Sequence, residues 1–137
     1  MPGGCVFCAI VEGDAPALRI YSDEHAIAFM DVNPATDGHA LVIPRAHVRD
    51  LFEIDETRAS QVIAATLKVA QKIRGALRPD GVNVMHATGA AAFQTVFHFH
   101  FHVIPRYSGD AIRLPWVPRP GDRSKITAIA ETIGVVA

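Results

Sequence analysis

Residues 95–106 read TVFHFHFHVIPR, and within this stretch residues 97–103 alternate strictly between an apolar residue and histidine. In a β-strand, residues two apart lie on the same face, so a strand through this stretch carries His98, His100 and His102 on one side. Its other side carries the apolar residues Phe97, Phe99, Phe101 and Val103, which we expect in the core. The alternation therefore predicts a strand over residues 95–105 with one apolar face and one histidine face.

The histidine face has three possible explanations. It can be a polar face that happens to contain histidine, a zinc site or a catalytic site. At a rise of about 3.3 Å per residue the outer two histidines lie roughly 13 Å apart, so all three cannot easily reach one ion, although two neighbours can. A catalytic row is chemically sound, because neutral imidazole is a good nucleophile at pH 7 and imidazolium is a good acid.

The rest of the chain predicts an α+β fold, with an antiparallel sheet and helices on one face. Runs of β-branched and aromatic residues separated by turn formers predict four further strands, at residues 17–22, 25–31, 39–44 and 81–87.

Three helices are predicted, over residues 6–12, 55–77 and 122–133. The long one has Asp55 as a plausible N-cap and ends before Pro79. Spacings of three and four place one set of its residues on a common face, namely Val62, Ile63, Thr66, Leu67, Ala70, Ile73 and Leu77. The last helix has a similar face of Ile126, Ile129, Ala130 and Ile133.

Composition excludes several classes of function. The chain has 137 residues, about the size of one domain, and 13 basic against 14 acidic residues. This balance predicts no nucleic-acid partner and no anionic membrane partner, because either would require a clustered basic excess. The N-terminal stretch MPGGCVFCAI lacks the features of a signal peptide, so we expect a cytoplasmic protein. Cys5 and Cys8 form a C-x-x-C pair, which in a reducing compartment indicates a metal or a redox site.

Several motifs together resemble one known family. HFHFHVI, from His98 to Ile104, fits the pattern His-φ-His-φ-His-φ-φ of the histidine triad (HIT) superfamily of nucleotide hydrolases and transferases. Residues 5–47 and 94–106 are similar to the N-terminal part and the catalytic strand of small bacterial HIT proteins that carry a C-x-x-C zinc site. The resemblance covers about residues 5–107, so we expect a single HIT domain over 1–137 with a tail and helix at 108–137.

The resemblance implies a HIT-like fold and a set of site residues. The expected fold is a five-stranded antiparallel sheet with one long helix and a C-terminal helix, joined into a ten-stranded sheet across a homodimer. His100 matches the nucleophile that attacks the α-phosphorus of a purine nucleotide or nucleotide conjugate. The other residues matched to catalysis are His102, His39, Gln94 and Thr95. Asp31 matches the residue that binds ribose, and the residues matched to the base pocket are Phe7, Ile10, Val32 and Leu41.

The resemblance also assigns the cysteines. In family members with C-x-x-C, a structural Zn²⁺ is bound by four residues that correspond here to Cys5, Cys8, His47 and His98. A Cys₂His₂ set is a chemically sound tetrahedral zinc site. A redox pair would instead need a thioredoxin-like βαβ context, which this sequence does not predict.

The sequence departs from the family pattern in the loop before the catalytic strand. Ala87 stands where members commonly have Asn, and Phe93 stands where they have Gly. We expect that Phe93 cannot adopt the positive φ open to glycine and that its ring crowds or roofs the site. His86 has no counterpart in the pattern and is expected to be a surface or core residue. Trp116 lies in a proline-rich tail and has no assigned catalytic role.

Three functions are compatible with these residues. The first is a HIT hydrolase that cleaves the α-phosphate bond of nucleoside phosphoramidates or AMP conjugates through a nucleotidyl-His100 intermediate. The second is a dinucleoside polyphosphate hydrolase or phosphorylase, which would use the same nucleophile; the short chain favours the first. The third is a zinc-stabilised nucleotide-binding regulatory protein with little turnover, which the altered residues Ala87 and Phe93 favour.

Overall fold

The computed structural model describes residues 4–137, which form three α-helices and a five-stranded antiparallel sheet. The elements in chain order are α1 (Val6–Glu12), β1 (Arg19–Ser22), β2 (Ala26–Met30), β3 (Ala40–Pro44), α2 (Glu56–Leu77), β4 (Gly81–Met85), β5 (Phe101–Arg106) and α3 (Arg123–Ile133). The strand order in the sheet is β1-β2-β3-β5-β4. The predicted α+β class and antiparallel sheet are confirmed.

The alternating stretch enters the sheet later than the sequence predicts. Hydrogen-bonded strand begins at Phe101, so the prediction of a strand from residue 95 is wrong for residues 95–100. In that segment the backbone bonds outside the ladder, since the N–H of Phe99 donates to the carbonyl oxygen of Val48 at 2.6 Å. Phe97 is exposed, whereas the sequence predicted a core residue. Phe99 and Val103 are buried, and Phe101 packs against the same core cluster.

Helix α2 covers one face of the sheet. Its buried residues are Val62, Ala65, Thr66, Val69 and Ile73. They pack on small residues of the sheet, including Ala26, Ala28, Ala40 and Val42, which let the helix approach closely. The predicted helix face is partly wrong, because Ile63, Leu67 and Leu77 are exposed on the flank of the buried stripe.

Helix α1 covers the other face, so the prediction that all helices lie on one face is wrong. Phe7 and Ile10 of α1 pack with a second set of sheet residues, namely Ile27, Phe29, Leu41 and Ile43. Strands β2 and β3 thus alternate small residues toward α2 with large residues toward α1, and both of their faces are buried. Since Leu41 pairs with His102, this second layer is the one that contains the histidines.

Much apolar surface stays uncovered in the single chain. Every residue of the edge strand β4 is exposed, and so are the isoleucines of α3, Ile126, Ile129 and Ile133. Of the helices in residues 4–137, none is long and apolar enough to cross a membrane.

The burial of the second layer generates a stability prediction. Ile43→Ala should lower the free energy of unfolding by about 3 kcal/mol, because Ile43 of β3 is fully buried in the cluster with residues of β2 and α1 and its loss leaves a cavity. The matched control is Leu18→Ala, at a site 76% exposed, which should change it by less than about 0.5 kcal/mol. Urea unfolding measures both. Equal effects of the two substitutions would contradict the packing described.

Candidate active site and metal cluster

Two cysteines and two histidines meet beside the N-terminus of α1. Cys5 is the N-cap of α1 and accepts a hydrogen bond from the N–H of Cys8, one turn further on. His47 lies in the loop after β3, and His98 lies in the segment before β5. One potential ligand atom from each of the four residues lies within 4.8 Å of all the others. The structure thus brings together the whole metal set that the sequence predicted.

The distances in this cluster fit a tetrahedral ion. The Cys8 sulfur lies 3.2 Å from Nδ1 of His47 and 3.6 Å from Nδ1 of His98, and the Cys5 sulfur lies 3.5 Å from Nδ1 of His98. Bond lengths of about 2.3 Å to sulfur and 2.0 Å to nitrogen place sulfur and nitrogen ligands of one zinc ion roughly 3.5 Å apart. The four side chains therefore match the spacing of a closed Cys₂His₂ site.

The protonation of His98 also suits a metal ligand. Its Nε2–H donates to the carbonyl oxygen of Pro44 at 2.9 Å, which leaves the lone pair of Nδ1 directed at the two sulfurs. Burial lowers the pKa of His98 to about 4, so its ring is neutral at pH 7. Burial raises the pKa of the Cys8 thiol to about 11. Zinc requires the thiolate form, and a cation bound beside the sulfur would favour that form.

His100 has one bare ring nitrogen. Its Nδ1–H donates to the carbonyl oxygen of His98 at 2.8 Å, so Nε2 carries the lone pair. The ring is buried and packs edge-on against Phe7, with centroids 5.2 Å apart. Burial lowers the pKa of His100, which keeps the imidazole neutral near pH 7. This is the protonation state of a nitrogen nucleophile.

His102, His39 and Asp31 form a hydrogen-bonded group next to His100. The N–H of Ala35 donates to Nδ1 of His39, so the proton of neutral His39 is on Nε2. That Nε2–H lies 2.9 Å from Nδ1 of His102 and 3.4 Å from Oδ2 of Asp31. His102 accepts this bond at Nδ1, and its own remaining N–H is therefore at Nε2.

The same tautomers argue against a metal in this second group. The three side chains are close enough to form a candidate cation cluster. However, Nε2 of His39 has no lone pair to offer while Ala35 donates to Nδ1. Burial lowers the pKa of His102 to about 4 and also lowers the pKa of His39, so both rings are neutral donors and acceptors at pH 7.

A cleft of about 520 Å³ opens in front of His100 and His102. Its lining includes most of the predicted substrate and phosphate residues, namely Asp31, Phe7, Ile10, Val32, Leu41 and Thr95. Other residues that line it were not predicted, among them Phe29, Met30 and Asn33. The cleft is apolar at its α1 end and polar at its histidine end, a gradient that suits a ligand with a flat base and an anionic group.

Gln94 is buried and bonds to the backbone around it. Its amide nitrogen donates to the carbonyl oxygens of Arg49 and Val96, and its amide oxygen accepts from the N–H of Gly89. In this arrangement the side chain fixes the loop between β4 and β5. Contact of Gln94 with a phosphate stays a prediction, and it would require one of these bonds to open.

The expectation that Phe93 cannot adopt a positive φ is wrong. Phe93 adopts φ 70° and ψ 23°, the left-handed conformation that was expected to be closed to it. The turn of 3₁₀-helix at Ala90–Ala92 explains this, because the Phe93 N–H bonds to Ala90 and the Gln94 N–H bonds to Gly89. These bonds offset a conformational cost of roughly 1–2 kcal/mol. The ring is 87% exposed and therefore packs against little of the protein.

His86 is the functional candidate that sequence reasoning missed. It lies just after β4, and its Nδ1 is 2.9 Å from the carbonyl oxygen of His100. Its ring stacks on Phe99 with centroids 4.3 Å apart. The only sequence signal was a histidine without a counterpart in the family pattern, and position along the chain does not show which backbone atom a ring contacts.

Comparison with known proteins gives consistent matches. Residues 12–109 match the family profile of the HIT domain. The "Protein hit" of Bacillus subtilis is 41% identical over 119 residues, or 86% of this chain and 82% of that protein. A Zn-bound histidine triad family protein from Mycobacterium smegmatis has 42% identity and a TM-score of 0.77 over 95% of this chain and 96% of that one. A histidine triad nucleotide-binding protein from Candida albicans has 26% identity and a TM-score of 0.84 over 95% and 94%.

The metal cluster generates a prediction about composition. Purified protein should contain about one zinc ion per chain, and His47→Ala should lose most of it because a closed site needs all four ligands. The matched control is His25→Ala, which removes an exposed histidine from the turn before β2. Metal analysis after gentle purification measures all three proteins. No zinc in the wild type, or equal zinc in the two variants, would contradict the assignment.

Proposed function

The chain belongs to the HIT domain family, and from this premise we propose that it is a nucleotide hydrolase of the histidine triad type. Its substrates are purine nucleoside phosphoramidates or related AMP conjugates. It cleaves the bond between the α-phosphorus and the leaving group, and water is the final acceptor. The observation that carries this proposal is the bare Nε2 of His100 at a cleft of nucleotide size.

The reaction proceeds in two displacements. First, the lone pair of Nε2 of His100 forms a bond to the α-phosphorus, and the bond from phosphorus to the leaving amine breaks as the amine takes up one proton from solvent. Second, water attacks the same phosphorus, the phosphorus–nitrogen bond to His100 breaks, and water returns one proton to solvent. The net reaction adds one water across the original bond and regenerates neutral His100.

His102 supports the negative charge that develops on phosphorus. Because Nδ1 accepts from His39, the N–H at Nε2 is free to donate to a phosphoryl oxygen or to the leaving group. Thr95 also lines the cleft, and its hydroxyl offers a second donor. Gln94 acts by holding the loop that carries Thr95, or by contacting the phosphate after one of its backbone bonds opens.

Asp31 and the apolar walls determine the class of ligand. Oδ1 of Asp31 accepts from the N–H of Asn33, and Oδ2 lies near His39, yet the carboxylate also lines the cleft. It can accept hydrogen bonds from ribose hydroxyls there. Phe7, Ile10 and Leu41 are buried walls for the base, and Val32 is an exposed residue at the edge of the cleft.

The zinc ion has a structural role in this proposal. Cys5, Cys8, His47 and His98 would hold it, and a closed four-ligand site supplies rigidity and leaves no position for substrate. It would fasten α1 to the segment before β5, one residue away from Phe99 and two from His100. Cysteines that bind a metal and form no disulfide are typical of a reducing compartment, which supports a cytoplasmic location.

A second candidate function is nucleotide binding with little turnover. The bonds that occupy Gln94 favour it, because that amide is not free to bind phosphate while it holds the loop. The absence of an amide at Ala87 points the same way. Against it stands the neutral, oriented imidazole of His100, which a protein that only binds nucleotide does not need.

Replacement of the nucleophile tests the proposed chemistry. His100→Ala should lower turnover of an AMP–amine substrate on the order of 1,000-fold or more, because the covalent route is lost. Zinc content and fold should be unchanged, and His25→Ala should keep full activity.

Rates on the AMP–amine substrate and on a diadenosine polyphosphate separate the two hydrolase classes, and intact mass detects the nucleotidyl-enzyme. Unchanged turnover in His100→Ala would refute the nucleophile, and tight binding without turnover in the wild type would favour the second candidate.

We also propose that the protein is a homodimer whose two sheets join into one of ten strands. Support comes from the exposed edge strand β4 with Val84 and Met85, and from the exposed flank of α2 with Ile63 and Leu67. Exposed apolar surface beyond isolated residues typically marks an interface.

Light scattering tests the dimer. It should give twice the mass of one chain, and Leu67→Glu should shift the equilibrium toward monomer because a charge would be buried at the interface. Leu18→Glu, at an exposed site before β1, is the control and should not shift it. A wild type that is monomeric at micromolar concentration would contradict the proposal.

A further inference from the structure

The backbone of His100 lies just outside both strand ladders that hold β5. The register between β3 and β5 ends where Val42 pairs with Phe101, and the register between β4 and β5 ends where Met85 pairs with His102. The carbonyl group of His100 therefore lies beyond the last pair on either side. A carbonyl in a buried residue needs a donor, and here the donor is a side chain.

That donor is His86, the residue immediately after β4. A carbonyl oxygen can only accept, so the bond of 2.9 Å between Nδ1 of His86 and the oxygen of His100 places a proton on Nδ1. With that proton on Nδ1, the lone pair on Nε2 accepts a hydrogen bond from the hydroxyl of Thr88. Thr88 in turn accepts from the N–H of Leu51 at 3.0 Å. The result is a chain of hydrogen bonds, all in one direction, from a main-chain N–H to the carbonyl of the nucleophile.

Packing fixes the ring of His86 in the same place. It stacks on Phe99, with an interplanar angle of 21°, and lies edge-on to Phe101. Phe99 is one of the largest fully buried side chains, so the ring of His86 packs on a close-packed part of the core. Moving that part of the core would cost free energy. Two hydrogen bonds and one stacked face leave His86 little freedom to move.

We propose that His86 is a positioning residue for the nucleophile. This proposal rests on the proposed function, because it assigns His86 a role in the chemistry of His100. The ring of His100 is held at one end by the carbonyl of His98, and its main chain is held at the other end by His86. Together the two bonds fix the direction of the bare Nε2, and a small displacement of a nucleophile costs rate much more than it costs binding.

The test compares two substitutions that separate the hydrogen bond from the ring. His86→Phe keeps an aromatic ring to stack on Phe99 but removes the donor. His86→Asn removes the ring but keeps an amide N–H at the same number of bonds from the backbone as Nδ1. If the hydrogen bond to His100 positions the nucleophile, His86→Phe lowers kcat about tenfold and changes KM by less than about twofold, whereas His86→Asn retains most of the activity.

Two further variants complete the kinetic test. Thr88→Val removes the hydroxyl that orients His86 and should lower kcat about threefold, also without a change in KM. His25→Phe is the matched control and should behave as wild type. Unchanged kcat in His86→Phe would overturn the proposal, because the hydrogen bond would then have no effect on the reaction. Equal losses of kcat in His86→Phe and His86→Asn would also overturn it, because they would show that His86 acts only through packing. Should His86→Phe not fold, the asparagine and valine variants still decide.

A readout without substrate separates this proposal from the proposed function. Long-range ¹H–¹⁵N spectra of the histidine rings report the tautomer and mobility of His100 directly. The ring signals of His100 should broaden or double in His86→Phe and stay single and sharp in His86→Asn and His25→Phe. If wild-type protein shows no turnover, the enzymatic function fails while these spectra still test the positioning. Identical His100 signals in all variants would overturn the role of His86.

Discussion

Bonds to the main chain fix the protonation of the histidines that follow one another along the active segment. The carbonyl of Pro44 takes the Nε2–H of His98, and the carbonyl of His98 takes the Nδ1–H of His100. The first bond directs the Nδ1 lone pair of His98 at two sulfurs, and the second leaves Nε2 of His100 bare. At His39 the direction is reversed, since the N–H of Ala35 donates to its ring. Identical side chains thus differ in which ring nitrogen carries the proton, as the proposed roles of metal ligand, nucleophile and proton donor require.

The two-layer packing makes this arrangement possible. Small residues of β2 and β3 face α2, and large residues of the same strands face α1. The histidines lie in the α1 layer, where burial lowers the pKa of His98, His100 and His102 and keeps them neutral. The Cys₂His₂ cluster includes the N-cap of α1 and the residue two before His100, so a metal bound there would connect α1 to the segment before β5.

The sequence predicted the features that depend on a periodic pattern or on the spacing of a motif. It did not predict the features that depend on contacts with residues distant in sequence. The strands, the long helix and the members of the metal cluster followed from periodicity and from the family resemblance. The start of β5 did not, because the bond from Phe99 to Val48 takes residues 95–100 out of the ladder. Ile63 and Leu67 share a helical period with Val62 but lie beside the stripe that meets the sheet. Phe93 adopts a left-handed backbone because its turn supplies the compensating hydrogen bonds.

The sequence by itself determined which chemical groups are available and in what order: alternating histidines, a C-x-x-C pair, a carboxylate and a small-residue loop before the histidine strand. These features depend only on residue types and their spacing along the chain, so they can be identified without knowledge of tertiary contacts. Only the tertiary structure decided which ring nitrogen of each histidine carries a proton, and that His86 bonds to the carbonyl of His100. The physical reason is that a tautomer depends on donors and acceptors from strands and loops distant in sequence, whose positions are set by packing.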